Sequence, residues 1–452
     1  MVRDSLEAGI QAAGGNPIEF LRNVQYPAFE FPVRSEWTNW RDEQRAWRDS
    51  CVLFDQSHHM ADLFLSGPDA VKALTRLGVN SFANFGPGMA KQYICVNDGG
   101  HFVGDGIVVY LPDGTINLVS VPSVINWTHY HLETGGYDIR IERDDNSNRR
   151  QGAPRIFRYE LQGPAALAVV EKMVGRPLPK VKFFHTTQLA IGGSEYTALR
   201  HGMAGQPGFE IFGPWADADK VLEAILDAGA AFGLKRGGAK CYSTANVESG
   251  WIPGPFSAVF GEAEKGYREW LPAAAYGSLG GSMDSTDVAD YYVTPYDIGY
   301  GKVVNFDHDF VGRAALEGLA KQPRRDKVSL LWNPEDVAAA LRSWMEPGTP
   351  VKYIELPKAR YAWFQMDKVL RNGRQVGISM DNGLIPNERA FISLASVDLE
   401  HCRPGTELTV LWGENPRSAK PAVEPHRQME IRATVAPCPF AQVIRDVGYR
   451  KS

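Results

Sequence analysis

The sequence predicts a mixed α and β protein, with two related β-α halves followed by a smaller, mostly β unit. In the first part of the chain, a stretch of alternating apolar residues is repeatedly followed by a Gly-Pro turn and then by a stretch with helical apolar spacing. Beyond about residue 325, short strand patterns replace these units. At roughly 100–200 residues per domain, 452 residues suffice for two to four domains. With 44% hydrophobic and 22% charged residues, the composition is typical of a folded globular chain.

Each half is predicted from the same local pattern. Alternating apolar residues, typical of half-buried strands, precede the Gly-Pro pairs at 67–68 and 163–164. Pro in the first helical turn and Gly just past the last turn then bound one helix that stops at Gly78 and another that stops at Gly175. A third unit of this kind covers 213–229. The pattern predicts an internal duplication over roughly the first 330 residues.

The boundary of the last unit is predicted at 321–327, a polar and charge-dense run of linker composition. We therefore assign residues 1–325 to two interleaved β-α lobes and residues 326–452 to a C-terminal β-rich domain. One helix is expected at 336–345. Short strands are expected at 328–332, 376–380, 391–397, 407–411 and 429–435. A small barrel and a sandwich would both accommodate these strands.

Charge and cysteine usage exclude several classes of function. Lys and Arg total 48 against 53 Asp and Glu, so the net charge of −5 leaves no basic surplus for binding nucleic acid. The five cysteines lie far apart without a C-x-x-C pair, which favours a reducing compartment. Acids near the start of the chain, and the lack of any apolar run of about 18 residues, predict a cytoplasmic protein that does not enter a membrane.

The common cofactor and metal signatures are absent from the sequence. There is no phosphate-binding G-x-x-x-x-G-K-[ST], no dinucleotide G-x-G-x-x-G, no zinc-binding H-E-x-x-H and no nucleophilic G-x-S-x-G. The closest histidine groupings, His58 with His59 and His129 with His131, lack the i, i+4 spacing that aims two rings at one metal. No metal site is expected.

Three segments carry residues that call for a chemical explanation. Glu210 lies between Phe209 and Ile211 on a predicted strand, so it is either a buried acid that requires hydrogen-bond donors or a residue of the solvent face. The segment 241–253 concentrates hydroxyls, an amide, an acid and an indole before a Gly/Pro break. The segment 97–107 reads as a hairpin turn in which an acid re-enters a strand, and such turns either position chemistry or are plain hairpins.

Together these segments resemble the glycine-cleavage T-protein (aminomethyltransferase) family over nearly the whole chain. The matching stretches occur in the family's order, at 54–57, 67–70, 97–107, 208–211, 248–250, 294–301, 310–313 and 377–387. Within that family the chain is more similar to the tetrahydrofolate-dependent aromatic O-demethylases that act on vanillate, syringate or 3-O-methylgallate. Those matches are rich in Trp, His and Arg and lie at 13–16, 39–41, 54–60, 200–205, 248–253, 267–272, 307–310 and 423–426.

The resemblance implies a three-lobed α+β fold with two β-α lobes, a C-terminal β barrel and folate in a central channel. It also implies transfer of a methyl group from an aryl ether oxygen to N5 of tetrahydrofolate. By the family pattern, Glu210 would hold the donor edge of the pterin, and Gln162 and Trp251 would contact the cofactor; the alternative for Trp251 is a plain core residue. Tyr242 occupies the position of the demethylases' catalytic Tyr, where T-proteins carry Arg, which argues against aminomethyl transfer.

The expected chemistry needs hydrogen-bond donors at the ether oxygen, because negative charge grows there as the methyl group leaves. Tyr242 is expected to be the first donor and His59 a second donor or a residue that orients the substrate. The alternative for His59 is a structural histidine that holds its loop.

The substrate pocket is predicted to include Phe29, Phe31, His58 and Val121. The lignin-acid demethylases present a Gly-Arg pair where this chain has Ser120-Val121, and a Tyr where it has Phe31. An apolar Val cannot clamp a carboxylate. We therefore expect an ortho-methoxybenzoate of the dicamba type or a neutral methoxyphenol in preference to vanillate.

Two other functions remain open at this stage. One is a T-protein-like transferase that acts on methylamines or dimethylsulfonio compounds, with the aromatic-rich segment 29–40 as core. The other is a folate-binding protein without catalysis, which would keep Glu210 but has no need for Tyr242 and His59. The sequence leaves the oligomeric state open.

Overall fold

The computed structural model describes residues 5–24, 31–203 and 205–447. The helices are α1 (Leu6–Ala12), α2 (Pro17–Asn23), α3 (Trp40–Asp49), α4 (Ala70–Leu77), α5 (Pro122–Thr134), α6 (Ala166–Val174), α7 (Ala218–Gly229), α8 (Ala239–Ser249), α9 (Lys265–Trp270), α10 (Arg313–Leu319), α11 (Pro334–Arg342) and α12 (Gln442–Val447). The strands are β1 (Val52–Asp55), β2 (Ala61–Ser66), β3 (Ala90–Val96), β4 (Phe102–Tyr110), β5 (Ile116–Ser120), β6 (Arg140–Asp144), β7 (Ile156–Gln162), β8 (Thr186–Ile191), β9 (Ser194–His201), β10 (Gly208–Pro214), β11 (Lys235–Arg236), β12 (Leu279–Gly280), β13 (Arg325–Trp332), β14 (Phe364–Gln365), β15 (Asp367–Arg371), β16 (Arg374–Ile385), β17 (Ala390–Asp398), β18 (Glu407–Trp412) and β19 (Met429–Ala436).

The first half of the chain builds a five-stranded antiparallel sheet in the order β3-β4-β5-β2-β6. Its helix α4 buries one apolar stripe, formed by Ala70, Ala73, Leu74 and Leu77, and ends at Gly78 as predicted. The segment 97–107 is the β3–β4 turn followed by the first part of β4. These elements enclose the largest apolar core of the protein.

The second half builds a six-stranded sheet in the order β11-β1-β7-β10-β9-β8. Helices α6 and α7 cover one face of this sheet, where Phe157, Tyr159, Leu161, Phe209 and Ile211 form its core. This face is the apolar side of the predicted period-2 pattern. The strand and helix pattern of the second half is therefore confirmed.

The two halves share one topology. In each, a three-stranded meander (β3-β4-β5 or β8-β9-β10) lies beside the strand that precedes the Gly-Pro turn, β2 or β7. The strand on the other side of β2 or β7 comes from the opposite half of the chain. Strand β1 directly precedes β2 in the sequence but pairs with β7. Strand β6 directly precedes β7 but pairs with β2. Each sheet therefore contains one strand whose chain continues directly into the other sheet.

The Gly-Pro turns show the duplication at atomic detail. Gly67 has φ 127° and Gly163 has φ 128°, a region that residues with a Cβ avoid. A Cβ on Gly67 would lie 2.5 Å from the carbonyl oxygen of Asp138, and one on Gly163 would lie 2.5 Å from that of Ser50. Both glycines thus permit the same close approach between a turn and the chain that enters the neighbouring strand.

The C-terminal strands close into a six-stranded barrel in the order β13-β17-β16-β15-β18-β19, so the open choice between barrel and sandwich is decided. The predicted strands are all present, and α11 with a short 3₁₀ turn (Ser343–Met345) covers the predicted helix. Strand β15 was not predicted. The first barrel strand begins at Arg325, which lies inside the run at 321–327 that was predicted to be a linker.

Replacing Gly163 with Ala is expected to lower the free energy of unfolding by at least about 2 kcal/mol, because the new Cβ meets backbone at a strained φ. Gly175→Ala is the matched control. Gly175 also has positive φ, 70°, but its Cβ would meet nothing within 4 Å, so a loss of only about 1 kcal/mol is expected. Urea denaturation followed by circular dichroism measures both, and equal losses would contradict the close-approach explanation.

Candidate active site

The face of the second sheet that is not covered by α6 and α7 is polar and buried. Arg158, Glu160 and Gln162 alternate along β7 with the apolar core residues, and Glu210 lies directly opposite Glu160 on β10. Their exposed fractions are 2% for Arg158, 0% for Glu160 and Gln162, and 3% for Glu210. Glu210 is therefore a buried acid and does not belong to the solvent face.

Arg158 supplies the donors that the buried Glu210 needs. Its Nη1 donates to Glu210 Oε1, while its Nη2 donates to Asp62 Oδ1 at 2.8 Å and to Asn117 Oδ1 at 3.2 Å. Asn117 also donates to Asp62 at 2.9 Å. Burial lowers the pKa of Arg158, but the two carboxylates outweigh it and raise that pKa overall. Because Asp62 and Asn117 belong to the first sheet, this guanidinium joins the two sheets.

Glu160 binds donors from three separate segments of the chain. Gln56 donates to its Oε2, and Gln162 and the backbone N–H of Met203 donate to its Oε1, the latter at 3.1 Å. Burial, and then the negative charge of Glu210, raise the pKa of Glu160 well above its usual value. Glu160 and Glu210, with the amides of Gln56 and Gln162, thus form one buried polar cluster, which we call the acidic floor of the site.

Tyr242 and His59 meet above this floor. Helix α8 carries Tyr242, whose hydroxyl lies 2.8 Å from His59 Nε2 and 3.2 Å from the sulfur of Met203. The Tyr242 ring packs edge-on against Phe54, with centroids 5.1 Å apart, and Phe31 lies edge-on to His59 at 6.0 Å. Both Tyr242 and His59 are half-buried.

Burial keeps this pair uncharged. It lowers the pKa of His59 to about 4, with a further contribution from Arg158, so the imidazole is neutral near pH 7. Burial, followed by Glu160 and Glu210, raises the pKa of Tyr242 well above its usual value, so the hydroxyl keeps its proton. A neutral imidazole that donates through Nε2 leaves the hydroxyl hydrogen of Tyr242 directed away from it. The pair can then donate a hydrogen bond to a ligand oxygen.

Trp251 is held in place by an acid of the first sheet. Its indole N–H donates to Asp105 Oδ2 at 3.0 Å, and the same oxygen accepts from the hydroxyl of Tyr300 at 2.6 Å and from Gln92 at 2.7 Å. Burial raises the pKa of Asp105 to about 6, although the donors from Tyr300 and Trp251 lower it. Trp251 follows the αL residue Gly250 that ends α8, so one helix positions both Tyr242 and Trp251.

The other predicted pocket residues have different surroundings. Val121 is half-buried at the start of α5, immediately after the β5 residue that pairs with Ala61, and therefore lies beside the loop that carries His59. His58 faces the other way: its Nδ1 lies 2.8 Å from Ser147 Oγ, and its ring contacts Trp215. Phe29 lies outside the described residues. A pocket role for these three residues stays a prediction.

Three charged residues that organise this site were not predicted from the sequence, Asp62, Arg158 and Glu160. Asp62 is the one charged residue of β2, and Arg158 and Glu160 alternate with apolar residues on β7, which is the same signal that drew attention to Glu210. In an isolated strand this pattern also fits a solvent-facing side, so the signal was ambiguous. The shared pattern on β2, β7 and β10 could have indicated that these residues face one another.

Within residues 5–24, 31–203 and 205–447, no group of three His, Cys, Asp or Glu side chains is placed to hold a metal ion. In the same part of the chain, no helix is both long and apolar enough to span a bilayer. All five cysteines are free thiols.

Comparison with known proteins identifies the family. A family model, the GCVT N-terminal domain, matches residues 7–253. The chain belongs to the glycine-cleavage T-protein family. It is 44% identical to the syringate O-demethylase of Sphingobium sp., over 97% of this chain and 96% of that protein. It is 32% identical to the sesamin methylene transferase of Sinomonas sp., over 83% and 82% of the two chains.

The fold agrees with that of a solved T-protein. The crystal structure of the glycine cleavage system aminomethyltransferase T from Bartonella henselae matches with a TM-score of 0.63 at 19% identity, covering 96% of each chain. The predicted three-lobed α+β fold is therefore confirmed. The resemblance to the aromatic O-demethylases within the T-protein family is confirmed as well.

Replacing Arg158 with Met is expected to lower the free energy of unfolding by about 3–5 kcal/mol, because buried carboxylates lose their cation. The matched control is Arg155→Met, whose partly exposed ion pair with Glu142 should contribute no more than about 1 kcal/mol. Urea denaturation at pH 7.5 measures both. Equal losses for the two variants would show that Arg158 does not join the sheets in the way described.

Proposed function

We propose that this protein is a tetrahydrofolate-dependent O-demethylase, which transfers the methyl group of an aryl methyl ether to N5 of tetrahydrofolate. The products are a phenol and 5-methyltetrahydrofolate. The observation that carries the proposal is the contact between Tyr242 and His59, a neutral donor pair beside a buried acidic floor. The identity of 44% to a syringate O-demethylase over nearly the whole chain supports it.

The buried polar residues fit a pterin. Its amide edge offers two neighbouring N–H donors, and Glu210 Oε2 has no donor among the described residues while Oε1 is bound by Arg158. We therefore assign Glu210 and Gln162 to the pterin edge and the ring of Trp251, fixed by Asp105, to packing against the cofactor. Bound tetrahydrofolate would supply the nucleophilic nitrogen that accepts the methyl group.

The role of this chain's own residues is to align the ether and to stabilise the leaving oxygen. Tyr242 donates a hydrogen bond to the ether oxygen as negative charge develops there, and any proton that it passes to the phenolate would be replaced by the one that the acceptor nitrogen loses on methylation. With the tautomer that donates through Nε2, His59 holds the Tyr242 oxygen, and the hydroxyl hydrogen, which points to the Met203 sulfur in this structure, is available to turn to the substrate. The surrounding burial excludes water and keeps the reacting groups in line, which supplies much of the acceleration.

The two rival functions lack this support. A transferase of methylamines or dimethylsulfonio compounds would need no aromatic slot, whereas Phe31 contacts His59 at the site, and a purely folate-binding protein would have no use for a buried Tyr–His pair. The domain limits at residues 1–325 and 326–452, the cytoplasmic location and the absence of nucleic-acid and membrane partners stay predictions from the sequence.

The substrate is proposed to be a methoxybenzoate or a methoxyphenol. We assign Phe31, whose ring contacts His59, and Val121, beside the His59 loop, to the apolar lining of the pocket. Neither can pair with a carboxylate para to the hydroxyl of a lignin acid. An ortho-methoxybenzoate of the dicamba type places its carboxylate elsewhere on the ring, and a neutral methoxyarene has none. Both therefore avoid the free-energy cost of burying an unpaired carboxylate at this wall.

Tyr242→Phe is expected to lower the single-turnover rate of methyl transfer at least ~10²-fold, with little change in substrate affinity, because only the donor hydroxyl is lost. The matched control is Tyr93→Phe, which removes a buried hydroxyl that contacts Thr128 in the first sheet. Formation of 5-methyltetrahydrofolate, followed by mass spectrometry, reports the rate. A near-normal rate for Tyr242→Phe would exclude the proton-donor role.

A competition among methoxyarenes tests the substrate assignment and the function together. With tetrahydrofolate present, vanillate should be turned over at least ~10-fold less efficiently than an ortho-methoxybenzoate or a neutral methoxyarene, because its carboxylate stays unpaired. Val121→Arg should narrow this difference in turnover efficiency, because the guanidinium can pair with the carboxylate of vanillate. Preference of the wild-type protein for vanillate or syringate would show that another group holds the carboxylate, and no 5-methyltetrahydrofolate from any ether would contradict the proposed function.

A further inference from the structure

The carboxyl group of Glu160 connects three segments that meet at the site. Its donors are the side chain of Gln56, just after β1, the side chain of Gln162, at the end of β7, and the backbone N–H of Met203, in the loop after β9. Glu160 itself is fully buried. One side chain therefore sets the relative positions of groups that are far apart in the sequence.

Two of these groups lead to the Tyr242 hydroxyl. The Met203 sulfur lies 3.2 Å from the Tyr242 oxygen and 3.3 Å from Gln56 Nε2. The third group, Gln162, lies on the side assigned to the cofactor. Glu160 thus lies between the proton donor of the reaction and the proposed pterin site, without contacting Tyr242 through a hydrogen bond of its own.

An ionised carboxylate accepts hydrogen bonds only, so it turns the NH₂ end of each neighbouring amide toward itself. We propose that Glu160, in its ionised form, is a positioning residue that orients Gln56, Gln162 and the Met203 loop for folate binding and methyl transfer. This inference rests on the proposed function. Protonation would convert one acceptor oxygen into a donor, and an amide or the loop would then have to turn away.

The charged and titratable groups around Glu160 determine the pH at which its carboxylate is protonated. Glu210 faces it from β10, Arg158 lies two residues away on β7, Asp62 approaches from β2, and Tyr242 and a neutral His59 lie above. Asp62 and Glu210 both pair with the Arg158 guanidinium, whereas the donors to Glu160 are the two amides and the Met203 N–H. Burial and the charge of Glu210 raise the pKa of Glu160, so its proton returns closer to neutral pH than for an ordinary Glu. Activity should fall as the pH falls through that raised value.

The test compares pH profiles of kcat for the wild type, Glu160→Gln and a control. Glu160→Gln keeps the shape but cannot ionise, so kcat at pH 8 should fall at least ~10-fold and the decline of kcat toward acidic pH should disappear. Asp367→Asn is the matched control. Asp367 is a buried barrel acid with its pKa also raised to about 6 by burial, and it accepts from Ser282 N and Gln365. This variant should keep the wild-type profile.

A binding measurement on the wild type covers the case in which Glu160→Gln does not fold. Calorimetry of tetrahydrofolate binding in buffers of different ionisation enthalpy should show proton release on binding at acidic pH, and weaker affinity there. The inference would be overturned if Glu160→Gln kept the wild-type kcat and its decline toward acidic pH. It would also be overturned if the wild type bound tetrahydrofolate without releasing protons across pH 5–8. Failure of the proposed function would look different, because the wild type would then transfer no methyl group at any pH.

Discussion

The two lobes of this protein meet at a buried charge, and the site depends on how that charge is satisfied. Arg158 binds Glu210 within its own sheet and Asp62 and Asn117 in the other. Desolvating an arginine is costly, so the arrangement is stable only when the fork of the guanidinium finds acceptors on both sides. The contact between the two sheets and the orientation of Glu210 follow from these bonds, and the charge of Arg158 adds to the effect of burial in lowering the pKa of His59.

The chemistry of the site follows from covering a polar sheet face with protein instead of water. Helices α6 and α7 take the apolar face of the second sheet, so the polar face turns toward the first sheet and α8. In this dry environment Tyr242 keeps its proton and His59 stays neutral near pH 7. A phenol and an imidazole that are both uncharged suit a reaction in which negative charge appears only on the departing oxygen.

The barrel contributes by holding the helix that bears Tyr242. Lys358 donates to the carbonyl oxygen of Ser243 at 3.0 Å and to Asn246 at 3.1 Å, and it pairs with Asp381 of the barrel at 2.7 Å. At the end of α8, Glu248 forms a buried ion pair with Arg48 of α3 and accepts from Asn387 of the barrel. The motif at 248–250 thus has a structural role next to Trp251.

The sequence by itself determined the strand and helix units, the duplicated Gly-Pro turns and every barrel strand except β15, because these depend on local periodicity and on turn residues. Resemblance to a family pointed to Glu210, Tyr242 and His59. Only the tertiary structure decided that β1 and β6 are exchanged between the sheets, that the final strands close into a barrel, and that Arg158 and Glu160 organise the site. The physical reason is that a period of two shows which residues share a face, whereas what covers that face depends on segments distant in the chain.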